Sequence, residues 1–280
     1  MSFGGHSPRK RFGQHWLRDE RVLDQILDAS ELGSDDRVLE VGPGRGALTQ
    51  RLLASTAAAV HAVELDRDLV AGLQDRFADS PQFSLREGDV LEVPLTLPDG
   101  QRATKVVANI PYNITGPLLE RLIGRLDQPI DPPYQRLVLL VQKEVAERIR
   151  ARPGASSFSA LSVRMQLLAH CSSVCSVPPR CFQPPPKVHS EVIRLDPLPQ
   201  EQRPDPLTCC RVERLLKQAF LARRKMLRNT LSVSQPLCEL EEITLKAGID
   251  LRQRPQEVAP NAWVKLARGL NQADSAASSP

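Results

Sequence analysis

What this 280-residue chain lacks narrows its identity first. Its longest strongly apolar run is Leu137–Val141, far short of the ~20 residues a membrane-spanning helix needs. The first apolar stretch is short and follows Arg9-Lys10-Arg11, so no secretory leader is expected. The six cysteines (Cys171, Cys175, Cys181, Cys209, Cys210 and Cys238) include no C-x-x-C pair, and no histidine stands at zinc-finger spacing from any of them. We therefore expect no metal site, no disulfide framework and no membrane contact, but reduced thiols in a cytoplasmic protein. Internal repeats are missing as well. Hydrophobic residues at 41% and charged residues at 25% are ordinary for a globular chain. Collagen, disordered-chain, membrane and disulfide-miniprotein classes are excluded.

Net charge is nearly absent, at +4, yet it is unevenly placed. Residues 1–199 carry 24 basic and 24 acidic side chains, whereas residues 200–280 carry 13 and 9. Within 203–231 the balance is 8 to 2. Such a patch suits a polyanion, and a solvated basic face is the competing reading.

Strand-like and helix-like segments alternate along the first two-thirds. Arg37–Val41, Ala58–Leu65, Phe83–Arg86, Lys105–Asn109, Arg136–Val141, Ser172–Val177 and Val188–Leu195 read as strands. Between them Ala47–Ala54, Arg67–Phe77, Pro117–Leu126, Lys143–Arg150 and Phe158–Leu168 read as helices. That alternation predicts an α/β fold with a mostly parallel, doubly wound sheet. Pro197, Pro199, Pro204 and Pro206 then mark a stiff linker without regular structure. Beyond it Leu207–Phe220, Arg223–Leu231, Leu237–Ala247 and Pro255–Leu270 are all helical in pattern. The expected domains are 1–199 and an all-helical 200–270, with 271–280 a disordered tail.

Glu40-Val41-Gly42-Pro43-Gly44-Arg45-Gly46 joins the first sheet strand to a helix. Glycines let backbone approach a ligand, and the helix N-terminus beyond favours negative charge. A plain tight turn would use glycine too. The G-x-G-x-G spacing departs from the dinucleotide pattern, G-x-G-x-x-G. About twenty residues on, Glu64 ends the second strand, where an acid can accept from both hydroxyls of a ribose. Gly88-Asp89-Val90 ends the third. Such a rim suits an adenosine-containing cofactor without pyrophosphate contacts, and S-adenosylmethionine is the natural candidate.

Asn109-Ile110-Pro111-Tyr112 ends the next strand at the same rim. An exocyclic amine on a nucleobase is a poor nucleophile, because its lone pair is delocalised into the ring. Two acceptors aimed at its N–H groups, Asn109 Oδ1 and the Ile110 carbonyl, favour a pyramidal nitrogen whose lone pair points at a methyl sulfonium. Tyr112 then stacks on the base. In Arg180–Lys187 three consecutive prolines fix an extended path, which we expect to hold Phe182 over the pocket opposite Tyr112. A simple loop at the first motif and a proline-rich connector at the second are the competing readings.

These residues together resemble one family, the small-subunit ribosomal RNA adenine N6,N6-dimethyltransferases (the RsmA/KsgA type). The markers run from Arg11-Phe12-Gly13-Gln14-His15-Trp16-Leu17 through Glu40–Gly46, Val63–Asp66, Asn109–Asn113, Val141–Ala146 and Phe182–Ser190 to Phe220–Asn229. The resemblance implies a Rossmann-like class I methyltransferase domain with a small all-helical C-terminal domain. It implies four methyl transfers from S-adenosylmethionine to two adjacent adenosines near the 3′ end of small-subunit (16S) rRNA, during 30S maturation; nothing in the sequence pattern demands more than a monomer. It places His15, Leu17, Gly42, Gly44, Glu64, Asp89 and Asn109 at the cofactor and Asn109, Pro111, Tyr112 and Phe182 at the acceptor. Arg223, Arg224, Lys225 and Arg228 fall on RNA, three of them (Arg224, Lys225, Arg228) sharing a helical face, and Arg9, Lys10, Arg11 and Arg18 add a contact near the entrance. Against the family pattern, His15 replaces Asn, Trp16 replaces Phe, and Leu167-Leu168 replaces an aromatic pair. The alternatives are a large-subunit rRNA adenine methylase of the antibiotic-resistance type and a non-catalytic RNA-binding assembly factor. The latter would predict decay of Gly44, Glu64, Asn109 or Tyr112.

Overall fold

A computed structural model describes residues 14–232 and 237–277. Arg9, Lys10 and Arg11, with the start of the first marker, lie outside the described residues. Two compact units emerge: residues 1–123, 134–146 and 171–197 in one, and 124–133, 147–170 and 198–280 in the other. The helical unit therefore takes in two segments that precede the proline-rich stretch.

In the first unit, β1 (Trp16–Leu17) and α1 (Glu20–Ser30) precede β2 (Arg37–Val41), α2 (Ala47–Ala54), β3 (Ala59–Glu64) and α3 (Arg67–Arg76). Next come β4 (Phe83–Glu87), β5 (Lys105–Asn109) and α4 (Thr115–Ile123). After the hairpin of β6 (Gly124–Arg125) and β7 (Gln128–Pro129), the chain enters β8 (Arg136–Gln142), α5 (Lys143–Arg150) and α6 (Ala160–Leu168). It continues through β9 (Ala169–Val177), β10 (Phe182–Gln183) and β11 (Ser190–Pro197). Seven strands form one sheet in the order β4-β3-β2-β5-β8-β11-β9. The pairs β4-β3, β3-β2, β2-β5 and β5-β8 are parallel, and β8-β11 is antiparallel.

Burial on both faces explains the near-continuous apolar strands. Val38, Val60, Val107 and Val138 point into a cluster with Val22, Leu23 and Ile26 of α1 and Leu48 and Leu52 of α2. Their neighbours Leu39, Val106, Ala108, Leu137 and Leu139 are equally buried. Helix α1 went unread in the sequence, although Asp19 caps it by accepting from the Val22 amide at 3.2 Å.

Helix α4 stops at Ile123 rather than Leu126. Gly124 has φ +90°, and a Cβ there would meet the Ile130 amide nitrogen at 2.4 Å, so the chain turns back into the β6-β7 hairpin.

The second unit ends with α7 (Pro206–Phe220), α8 (Leu227–Leu231), α9 (Leu237–Ala247) and α10 (Pro260–Ala277). Three expectations need correction. The linker is not wholly irregular, because β11 runs to Pro197 and Gln200–Gln202 form a 3₁₀ turn. The helix expected at 223–231 begins only at Leu227: the amides of Leu227 and Arg228 bond to the carbonyls of Gln253 and Leu251 instead of to the preceding turn. Arg224 and Lys225 thus lie in a turn, and the shared helical face with Arg228 does not exist. Finally, Pro260 lacks the amide that would continue a helix from Pro255, so α10 starts afresh there. It runs through Ala277, making most of the expected tail helical, with the Arg211 guanidinium bonded to Asn271 and Asp274.

Candidate active site

One cavity of about 300 Å³ opens at the carboxyl ends of β2, β3, β4 and β5, where parallel sheets bind ligands. His15, Gly42, Gly44, Glu64, Asp89, Asn109, Pro111 and Tyr112 all line it. Leu17 and Phe182 do not.

The glycine turn follows β2 with Gly42 at φ +65° and Gly44 at φ +59°. A Cβ on Gly44 would lie 2.8 Å from Trp16 Cδ1, so only glycine leaves bare backbone beside that ring. Trp16 also carries the Arg45 guanidinium 4.0 Å from its ring centroid. Glu64 closes the turn from below: Oε2 accepts from the Gly44 amide at 3.1 Å and Oε1 from the Asp66 amide at 2.9 Å. Each oxygen keeps a second acceptor position. Burial raises the Glu64 carboxyl above its ordinary range, against these two amide bonds.

Behind Glu64 lies Glu40, 1% exposed. Burial pushes its carboxyl up to about 8, opposed by bonding from Thr49 and reinforced by the charge of Glu64. Burial thus favours its protonated form.

The acceptor motif faces the turn across the cavity. A Cβ built on Gly42 would be 3.9 Å from both the Asn109 carbonyl oxygen and Pro111 Cδ. Asn109 Nδ2 donates to the His15 carbonyl at 3.0 Å, which fixes the amide and directs Oδ1 the other way. The Tyr112 hydroxyl pairs with Ser190 Oγ, and burial raises its pKa. Ser190 is fully buried at the start of β11.

Phe182 stands elsewhere. It is 4% exposed, pairs with Leu17 across β1-β10, and packs with Val22, Leu23 and Ile26 in the core. Strand pairing turns its ring inward, so it is not the wall opposite Tyr112. The ring that stacks on Tyr112 is His15, with ring centroids 5.7 Å apart and planes inclined at 25°. The proline loop acts through His15 instead, whose Nδ1 donates to the Pro184 carbonyl at 2.8 Å. Gln14 fastens the same segment, its Nε2 donating to Asp66 at 2.8 Å. Sequence reading missed Gln14 and Ser190, since neither sits at a diagnostic spacing.

The fit to S-adenosylmethionine rests on the donor set. Two carboxylates provide acceptors for hydroxyl and amine groups, bare glycine backbone allows close approach, and Val63, Leu69 and Val90 supply apolar walls for a flat ring.

Among the remaining predicted residues, Arg223, Arg224, Lys225 and Arg228 are exposed in the second unit. The Arg223 guanidinium bonds to the Ser156 carbonyl. Arg18 is exposed after β1.

Comparison with known proteins matches residues 5–272 to the ribosomal RNA adenine dimethylase family. The ribosomal RNA small subunit methyltransferase A of Synechococcus sp. (strain WH7803) is 92% identical over 279 residues, 100% of either chain. A dimethyladenosine transferase from Plasmodium falciparum superposes with a TM-score of 0.77 at 27% identity, over 93% of this chain and 98% of that one. The 23S rRNA methyltransferase ErmE gives 0.72 at 27% identity, over 92% and 100%.

Proposed function

The chain belongs to the ribosomal RNA adenine dimethylase family, and on that footing we propose that it methylates N6 of two adjacent adenosines near the 3′ end of small-subunit rRNA, four methyl groups in all. A partly built 30S particle is the substrate, and the protein works as a cytoplasmic monomer. No helix among the described residues is long and apolar enough to cross a membrane. The observation that carries the reading is the meeting of Glu64 and Asn109, from two separate motifs, in the lining of one cavity.

When bound, S-adenosylmethionine supplies an electrophilic methyl group on a positively charged sulfur. Gly42 and Gly44 bring backbone to it, Glu64 takes ribose hydroxyls, and Asp89 and His15 hold its remaining polar groups. Leu17, buried against Phe182 and outside the cavity lining, takes no part in this assignment. Asn109 Oδ1 and the Ile110 carbonyl accept from the target amine and aim its lone pair. Tyr112, braced by Ser190 and His15, stacks on the flipped base. No strong base is required, because the alkylated nitrogen sheds its proton readily. Exposed Arg223, Arg224, Lys225 and Arg228 grip the rRNA backbone.

The similarity to ErmE shows that the fold is shared with a large-subunit enzyme, so fold alone does not choose the substrate. Full-length identity of 92% to a small-subunit methyltransferase does favour one. The test is radiolabelled methyl transfer to small subunits lacking the modification, with naked large-subunit rRNA in parallel. Label as N6,N6-dimethyladenosine in small-subunit rRNA alone is expected. Label only in large-subunit RNA would replace the reading, and tight particle binding without transfer would reduce the protein to an assembly factor.

A further inference from the structure

The turn after β4 is held from outside by a residue that belongs to no motif. The amides of Glu92 and Val93 both bond to the Asp89 carbonyl at 2.9 Å, and the Asp89 carboxylate accepts from the Leu91 amide at 2.8 Å. Two later carbonyls of this turn find a partner outside it. Those of Leu91 and Val93 are both taken by the guanidinium of Arg121.

Arg121 lies in the last turn of α4. The first turn of that helix continues from the acceptor motif through the 3₁₀ turn Tyr112–Ile114. One short helix therefore carries the acceptor motif at its start and clasps the Asp89 turn at its end. Both line the same cavity. Arg121 makes no ion pair among the described residues, and its Nε is buried without a partner. Its charge is directed at two neutral carbonyls, a task that suits a rigid planar fork and not an ammonium.

We infer that Arg121 is a positioning residue for the methyl donor, fixing the Asp89 turn at the height that α4 sets for the acceptor motif. This rests on the reading that Asp89 faces the donor.

Calorimetric binding of S-adenosylmethionine to the full chain tests it, using R121M, R121K, D89A and the double variant D89A/R121M. In R121M we expect affinity to fall about tenfold, the loss of charge-assisted hydrogen bonds. The KM for the donor should rise in step while kcat at saturating donor stays within about twofold. R121K should recover only part, since an ammonium does not present a fork to both carbonyls. D89A/R121M should bind little worse than D89A, because the two act through one turn. Should R121M not fold, R121K carries the comparison against D89A. Weakened binding in D89A with unchanged affinity in the Arg121 variants overturns the inference alone, and so does a lower melting temperature without an affinity change. Unchanged affinity in D89A removes the reading of Asp89 beneath it.

Discussion

Asn109 donates its side-chain amide to the backbone carbonyl of His15 at 3.0 Å, across 94 residues of sequence. One hydrogen bond thus settles two matters: which way the acceptor amide faces, and where the segment carrying His15 crosses the cavity. Asn109→Ala removes the oriented Oδ1. We expect methyl transfer to fall by at least ~100-fold, the scale of deleting one preorganised polar group, with RNA affinity nearly intact. Single-turnover transfer beside filter binding checks both. Normal turnover would sink the lone-pair argument.

Phe182 separates packing from catalysis. Because its ring is 4% exposed in the core, Phe182→Ala should destabilise the fold by ~3–5 kcal/mol. Phe182→Leu should cost less and retain kcat once folded. Urea midpoints and turnover measured on the same samples distinguish the two effects. A Leu variant of wild-type stability with abolished turnover would restore the aromatic-wall role.

Glu40 gives the protein a pH signature. Its carboxyl is raised by burial to about 8, above its unfolded value near 4.5. Between these limits the native state binds a proton that the unfolded chain does not, so this group's contribution falls as pH rises through that window and is constant above it. Glu40→Gln removes the titration. The variant should gain stability relative to wild type as pH climbs from 5 to 9, read as the difference in urea midpoints. A difference independent of pH would show that Glu40 does not titrate there.

On the proposed reading, the basic residues act by charge and not through a shared helical face. For Arg224, Lys225 and Arg228 changed together to Ala, particle binding should weaken and its salt dependence flatten. Each lost phosphate contact lowers the log–log slope by ~0.7–0.9. All three side chains are exposed, so the melting temperature should not move. An identical salt slope would return them to solvated surface charge.

Sequence alone determined much of this protein, for a local reason. Apolar runs such as Arg136–Val141, glycines at Gly42, Gly44 and Gly46, and an acid ending β3 each carry their meaning within a few residues. Strand, turn and rim could therefore be placed without knowing what lay beside them. The motifs Glu40–Gly46, Val63–Asp66 and Asn109–Tyr112 were legible in the same way, because parallel strands deliver their carboxyl ends to one edge.

Tertiary structure decided what depends on partners distant in the chain. Phe182 faces the core because β10 pairs with β1, and no pattern around the three prolines encodes that pairing. The helix at Leu227 starts late because its first amides bond to residues 251 and 253. Ser190 reaches Tyr112, and Arg121 reaches the carbonyls beyond Asp89, only once sheet and helix are assembled. A side chain's neighbours across the chain are set by the packing of whole elements, and a linear reading sees only those nearby.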